Sequence, residues 1–211
     1  MVRITAASLN GILLCMLTTG AAFAVDGVIL IDQNRALAGG ITPGDTAGFP
    51  ILITQPGSYR LSSNLLVPAN TDGIQVSASD VTLDLNGFEI KSPQFVCTAT
   101  PCDYPFGVKI GLFSEVTSVT VRNGTITGFS FQLYVNGNRS LIENLIIYRQ
   151  PGGNAFGTNA LGQNSIIRNV IFDQAIGITC PSIIVNTIAA RFSTDGTAAA
   201  CVFRDIIGNV F

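Results

Sequence analysis

The chain has 211 residues, with 11 basic against 13 acidic side chains, no His, and a formal net charge of −2. That balance leaves no basic patch for nucleic acid, so a nucleic-acid partner is excluded. Only 11% of residues are charged and mean hydropathy is +0.47, so either the core takes a large share of the chain or an apolar surface faces a partner.

Residues 1–24 read as a secretory signal peptide. Arg3 gives a positive start, the stretch from Gly11 to Leu17 is apolar, and Ala22-Phe-Ala24 is a small-x-small cleavage site. Leu14 before Cys15 does not suit lipid attachment. No later apolar segment has the length of a membrane span. The expected location is therefore secreted: periplasmic, extracellular or cell-surface. Cleavage leaves 187 residues (211 less 24) as one domain with room for a sizeable core.

Residues 25–60 read as an N-terminal cap and first strands, with Arg35-Ala-Leu-Ala38 as one helical turn. Strands begin at Pro50-Ile-Leu-Ile53 and Ser58-Tyr-Arg-Leu61. The opening stretch and Asp72-Gly-Ile-Gln-Val76 together form a first full coil. Val81-Thr-Leu-Asp-Leu-Asn-Gly-Phe88 alternates like a strand and then turns at Asn-Gly, one residue longer than Val119-Thr-Val-Arg-Asn-Gly124 further on, which predicts a bulge or shifted turn. An insertion at 93–106 carries Cys97 and Cys102.

The rest is one unit repeated. Ser118-Val-Thr-Val-Arg-Asn123 is followed by Arg139-Ser-Leu-Ile-Glu-Asn144, Asn164-Ser-Ile-Ile-Arg-Asn169, Pro181-Ser-Ile-Ile-Val-Asn186 and Ala200-Cys-Val-Phe-Arg-Asp205. The anchors are spaced by 21, 25, 17 and 19 residues, a solenoid period. Leucine-rich and hexapeptide patterns are missing. The fold expected is all-β: a right-handed parallel β-helix of about six coils over residues 61–211, each coil two or three short strands stacked on the next. Residues two before and three after each anchor should face in, namely Val121, Ile142, Ile167, Ile184 and Phe203, then Ile126, Ile147, Phe172, Ala189 and Gly208. Asn123, Asn144, Asn169 and Asn186 should hold the turns in left-handed conformation and bond from coil to coil as a ladder. The 17-residue step requires a tight turn or a slip in this alignment. The last residues are still in pattern, so an open last coil is a candidate for self-association.

Four cysteines remain after cleavage, and three disulfide pairings are open. Stacking of neighbouring coils favours Cys180 with Cys201, and the small loop favours Cys97 with Cys102. Neither pair has zinc-site spacing.

Ile53-Thr-Gln-Pro-Gly-Ser-Tyr-Arg-Leu61, Asp72-Gly-Ile-Gln-Val76, Val81-Thr-Leu-Asp-Leu-Asn-Gly-Phe88 and Val119-Thr-Val-Arg-Asn-Gly-Thr-Ile-Thr-Gly-Phe129 resemble exported bacterial right-handed β-helix repeat proteins of the pectate-lyase-like superfamily, over about residues 50–210. The resemblance implies the fold. It does not choose among lyases, hydrolases, tailspikes, adhesins and non-catalytic members.

Chemical candidates are few. A hydrolase of this fold needs paired carboxylates, and no two acidic residues are adjacent. A calcium-assisted lyase needs a carboxylate cluster and a basic side chain. The outward positions before the anchors offer Arg122, Glu143, Arg168, Val185 and Arg204, with Asp84 on the same face. Arg122 or Arg168 would be the base and Asp84 and Glu143 the acids, but cross-strand pairing of opposite charges explains this stripe better. Asp84 then becomes the partner of Arg122. Asp72, Asp80 and Asp103 read as turn residues. Tyr59, Tyr104, Tyr134 and Tyr148 are candidates for stacking on sugar rings. Outward aliphatic residues form two stripes, Leu141, Ile166, Ile183, Val202 and Ile146, Ile171, Ile188, Ile207; one of them is expected to pack against the N-terminal segment or a second subunit, the second stripe being the candidate interface. The function expected is a secreted scaffold without a catalytic site that binds a polysaccharide or cell-surface glycan or assembles with itself. It needs no cofactor. The alternative is a polysaccharide lyase, which would require calcium.

Overall fold

The structure, a computed structural model, describes residues 27–93, 104–111, 115–148, 158–161, 163–173, 175–194 and 201–210. The signal-peptide reading, the Cys97–Cys102 pairing and Asp103 lie outside the described residues.

The described residues are all-β with one short helix among them, Gln33–Ala38, whose first turn is capped by the Asp32 carboxylate accepting from Arg35 N–H. Every strand pairing among the described residues is parallel; apart from a separate short pair, Val116–Thr117 with Gly137–Asn138, the strands form three stacks. In the first stack Val28–Ile31, Gly57–Leu61 and Val81–Asp84 lie in register. The leading halves of Thr120–Thr127, Leu141–Tyr148 and Ser165–Phe172 follow, then Ser182–Val185 and Val202–Arg204. The second stack contains Leu65–Leu66, Glu89–Lys91, the trailing halves of those three long strands, and the starts of Ile188–Thr194 and Ile207–Val210. The third stack runs through Ile51–Ile53, Ile74–Val76, Phe106–Ile110, Phe131–Val135, Thr158–Leu161, Ala175–Ile178 and the end of Ile188–Thr194. The chain visits first, second and third stack in turn, and repeats.

Alternation within each strand builds the core. In the first stack Tyr59, Leu83, Val121, Ile142, Ile167 and Ile184 form one buried column, ending on the partly buried Phe203. In the second, Ile90, Ile126, Ile147 and Phe172 do the same. Ile51, Ile74, Val108 and Leu133, with Ile53, Val76, Ile110 and Val135, line the third. Stacking like on like keeps aliphatic side chains in contact at each strand spacing.

The anchors are corners. Asn123, Asn144, Asn169 and Asn186 have φ of 61°, 52°, 54° and 46°. Each donates its side-chain amide one strand back: Asn144 to Asn123 (3.1 Å), Asn169 to Asn144 (3.0 Å) and Asn186 to Asn169 (2.8 Å), while Asn123 donates to Asp84 (3.1 Å). Asn tolerates the left-handed bend, and its amide supplies donor and acceptor at once. A second left-handed column occupies the corner five residues earlier: Asp80, Ser118, Arg139 and Asn164. One position on, a buried serine column follows, with Ser140 N–H donating to Ser165 Oγ and Ser165 N–H to Ser182 Oγ.

Val28–Ile31 and Gly57–Leu61, which pair with each other, are strands in the region read as cap and first strands. Of the eight described strands in the first stack six lie beyond Leu61, the number of coils expected there. The 17-residue step is not a slip: Ile167 pairs with Ile184 and Ile171 with Ile188. The connections are short there, and a cis Cys180-Pro181 bond leads into Ser182. At Asn86-Gly87 the corner holds two residues more than at Asn123: Asp84 aligns with Arg122 and Glu89 with Thr125, so one residue is added before Asn86 and one after. Cys180 and Cys201 are joined, with Cα atoms 5.2 Å apart.

Candidate functional site

The outward column of the first stack reads Leu30, Arg60, Asp84, Arg122, Glu143, Arg168, Val185, Arg204. Four of the sequence candidates thus stand side by side, engaged with one another. Asp84 takes Arg122 Nε at 3.2 Å, Asn123 Nδ2 at 3.1 Å and Asn86 N–H at 2.9 Å, with Arg60 at 3.8 Å. Glu143 takes Arg168 Nε at 2.6 Å. Burial pushes the Asp84 carboxyl up, but the bonds from Asn123 and Asn86 and the charges of Arg122 and Arg60 outweigh it, and the net shift is downward. Such a carboxylate is a poor proton carrier near neutral pH, and Arg122 and Arg168 each hold a carboxylate. Among the described residues no group of three or more Cys, Asp or Glu is placed to hold a metal ion.

A different arrangement occupies the outward side of the third stack. Phe106 and Phe131 are neighbours in register and stack at 5.0 Å with planes 15° apart. Tyr134 meets Phe106 edge-on at 5.5 Å, and Tyr104 meets Phe131 edge-on at 6.4 Å. Lys109 aligns with Gln75 on one side and Tyr134 on the other. Its ammonium sits 4.1 Å from the Phe106 ring centre and 3.3 Å from Asp72. Asp72 also accepts from Phe106 N–H and from the Gln75 amide, both at 2.8 Å. An ionised carboxylate has about four acceptor positions, so one remains for a ligand hydroxyl.

Beside this group Pro50, Asn70, Thr71, Asp72, Tyr104, Pro105 and Lys109 line an open cleft of about 360 Å³. Gly73 and Gly107 let its walls close up. They are adjacent in the stack, and a Cβ on Gly73 would strike the Gly107 carbonyl, as one on Gly107 would strike that of Gln132. Asp72 is therefore a partly buried hub rather than the solvated turn residue its sequence setting suggested. Of the four tyrosines, Tyr59 is withdrawn: it is 1% exposed, its hydroxyl donates to Gln55 O, and burial raises its pKa. Tyr104 and Tyr148 are exposed, and Tyr134 is half-buried in the aromatic group. Phe106, Phe131, Lys109 and Gln75 were missed by sequence reasoning. The signal for them was the repeated Phe-x-x-Lys/Tyr spacing in Phe106-Gly-Val-Lys109 and Phe131-Gln-Leu-Tyr134.

The two aliphatic stripes face outward. Ile166, Ile183 and Val202 are exposed, and with Pro181 and Ser182 they border a shallow groove of about 350 Å³. Ile146, Ile171, Ile188 and Ile207 are exposed on the second stack. No helix among the described residues is long and apolar enough to cross a membrane. Compared with known proteins, the chain matches no family model, no curated protein and no solved structure.

Proposed function

We propose that the chain is an exported right-handed parallel β-helix of the pectate-lyase-like kind, acting as a non-catalytic scaffold that binds a glycan on the outward face of its third stack. Three parallel stacks visited in fixed order are what such a helix requires, and crossovers between parallel strands run right-handed almost without exception. The apolar signal sequence and the Cys180–Cys201 bond support an oxidising, exported setting.

The observation that carries the function is the cleft of Asp72, Lys109 and Tyr104 beside the Phe106–Phe131–Tyr134 group. Aromatic surfaces suit the apolar face of a sugar ring, and a few convergent polar groups fix its hydroxyls. Calorimetric titration with a panel of neutral and acidic polysaccharides tests this. Binding is expected, weakened at least tenfold by Tyr104→Ala and by Lys109→Ala with the circular dichroism spectrum unchanged. No binding across the panel removes the reading.

The lyase alternative is tested on the same material. Polygalacturonate or alginate with calcium would gain ultraviolet absorbance from unsaturated ends. No gain is expected, because the candidate bases are paired with Asp84 and Glu143. A gain abolished by Arg122→Ala or Arg168→Ala would replace the scaffold with a lyase.

A further inference from the structure

Among the described residues that line the cleft, Lys109 is the one cation and Asp72 the one anion. They hold each other at 3.3 Å, with side chains only 11% and 16% exposed. The ammonium also rests on the Phe106 ring, 4.1 Å from its centre. A cation held between a carboxylate and a ring face has little attraction left for a third partner.

Hydrogen-bond donors here are spent in the same way. Phe106 N–H and the Gln75 amide both go to Asp72 at 2.8 Å, and the Thr71 hydroxyl donates to Ala69 O at 3.2 Å. What stays open is an acceptor, the remaining position on the Asp72 carboxylate, beside the neutral side chains of Asn70 and Tyr104. The outward column that runs past the cleft, Leu52, Gln75, Lys109 and Tyr134, adds no other charge. The first stack has the opposite balance. There Arg60, Arg122, Arg168 and Arg204 outnumber Asp84 and Glu143, and the Arg168 side chain is half exposed.

We propose that the cleft selects uncharged sugar residues and rejects uronic acids. The inference rests on the glycan reading of the cleft and adds the class of ligand to it. A sugar hydroxyl can donate to Asp72 while the ring lies against an aromatic side chain. A uronate instead brings a second carboxylate beside the first. It must shed water, it meets like charge, and it reaches Lys109 only by displacing Asp72. Carboxylates are held best by charged donors in a fork, as arginine supplies, and the arginines of this wall lie on the first stack. The same logic gives the site a way to be reversed. Asp72→Asn keeps an acceptor for Phe106 N–H, and the Gln75 amide can turn to keep its bond. It removes the anion, and Lys109 is then released to meet a carboxylate.

Calorimetric titration of the purified protein with cello-oligosaccharides, galactomannan and soluble starch, set against polygalacturonate and alginate, tests the proposal. Binding is assigned to the cleft where Tyr104→Ala weakens it at least about tenfold. A neutral polymer is expected to bind there. It is then oxidised at its primary hydroxyls to carboxylates, which puts charge on the same chain, and the oxidised form should bind at least about tenfold more weakly. In Asp72→Asn that preference should vanish or invert. Cleft binding of an acidic polymer or of the oxidised form as tight as that of the neutral one would overturn the selectivity and leave the glycan site standing. An unchanged preference in a folded Asp72→Asn chain would overturn the assignment of that selectivity to the Asp72–Lys109 pair. Should that variant not fold, the two forms of the polymer on the wild type decide alone. No cleft binding across the panel removes the glycan reading and this inference together.

Discussion

The outward faces of the first and third stacks follow the same strand period but put it to different uses. On the first, Arg60, Asp84, Arg122, Glu143 and Arg168 stand in one column, and every carboxylate there is held by an arginine from an adjacent strand. That face is chemically closed: its charges serve the wall. On the third, Lys109 and Asp72 also pair, but beside exposed Tyr104 and an open cleft. Pairing in register between strands satisfies charges mutually. Pairing between a strand and the segment leading into one leaves a concavity beside the pair. Ionisable side chains in a column are thus not by themselves a site.

Substitutions can break this contrast, and the largest effect is expected at Asp84. Asp84→Ala removes the acceptor for Arg122, Asn123 and Asn86 together, and should cost about 1–3 kcal/mol in urea unfolding while glycan binding persists. Unchanged stability would show that the first face is not structural. The same residue predicts a pH signature. Its carboxyl lies below the ordinary 3.8, so its contribution is complete above that value and is lost as pH falls through the lowered one. The stability gap between wild type and Asp84→Asn should therefore close on acidification below about pH 4. A constant gap would mean that the charge contributes nothing.

Asn144→Ala comes next, expected to cost about 1–2 kcal/mol because alanine is strained at φ 52° and breaks the amide chain on both sides. Asn144→Gly should cost less, since only the amide is lost, and equal losses would show that the bend is not strained. Arg168→Ala should cost less than about 1 kcal/mol, its side chain being half exposed. Tyr104→Ala closes the series: stability within about 0.5 kcal/mol of wild type and loss of glycan binding. The reverse pattern, a destabilised chain that still binds, would make the aromatic group part of the wall.

Much of the wall was legible in the sequence because its determinants are local and repeated. Val121, Ile142, Ile167 and Ile184 recur at one offset from a recurring Asn, and a period-2 pattern fixes which side each faces. The partnership of Asp84 with Arg122 followed from the same alignment. The second left-handed column was hidden because Asp80, Ser118, Arg139 and Asn164 share a conformation and not a residue type. The cleft was hidden for a different reason. Asp72 and Lys109 are separated by 37 residues, about as many as Asp84 and Arg122, but the third stack has no anchor residue to align on, so its columns are not visible until the strands are paired.

The sequence by itself determined the parallel strand register, the Asn corners and the identity of the inward columns, since each depends on residues within one repeat and on the same repeat recurring. Only the tertiary structure decided which polar groups are closed and which are open. Arg122 reaches Asp84 through register alone, whereas Asp72, Gln75, Lys109 and Tyr104 meet where two neighbouring strands and the segments leading into them converge around glycines that let the backbones approach.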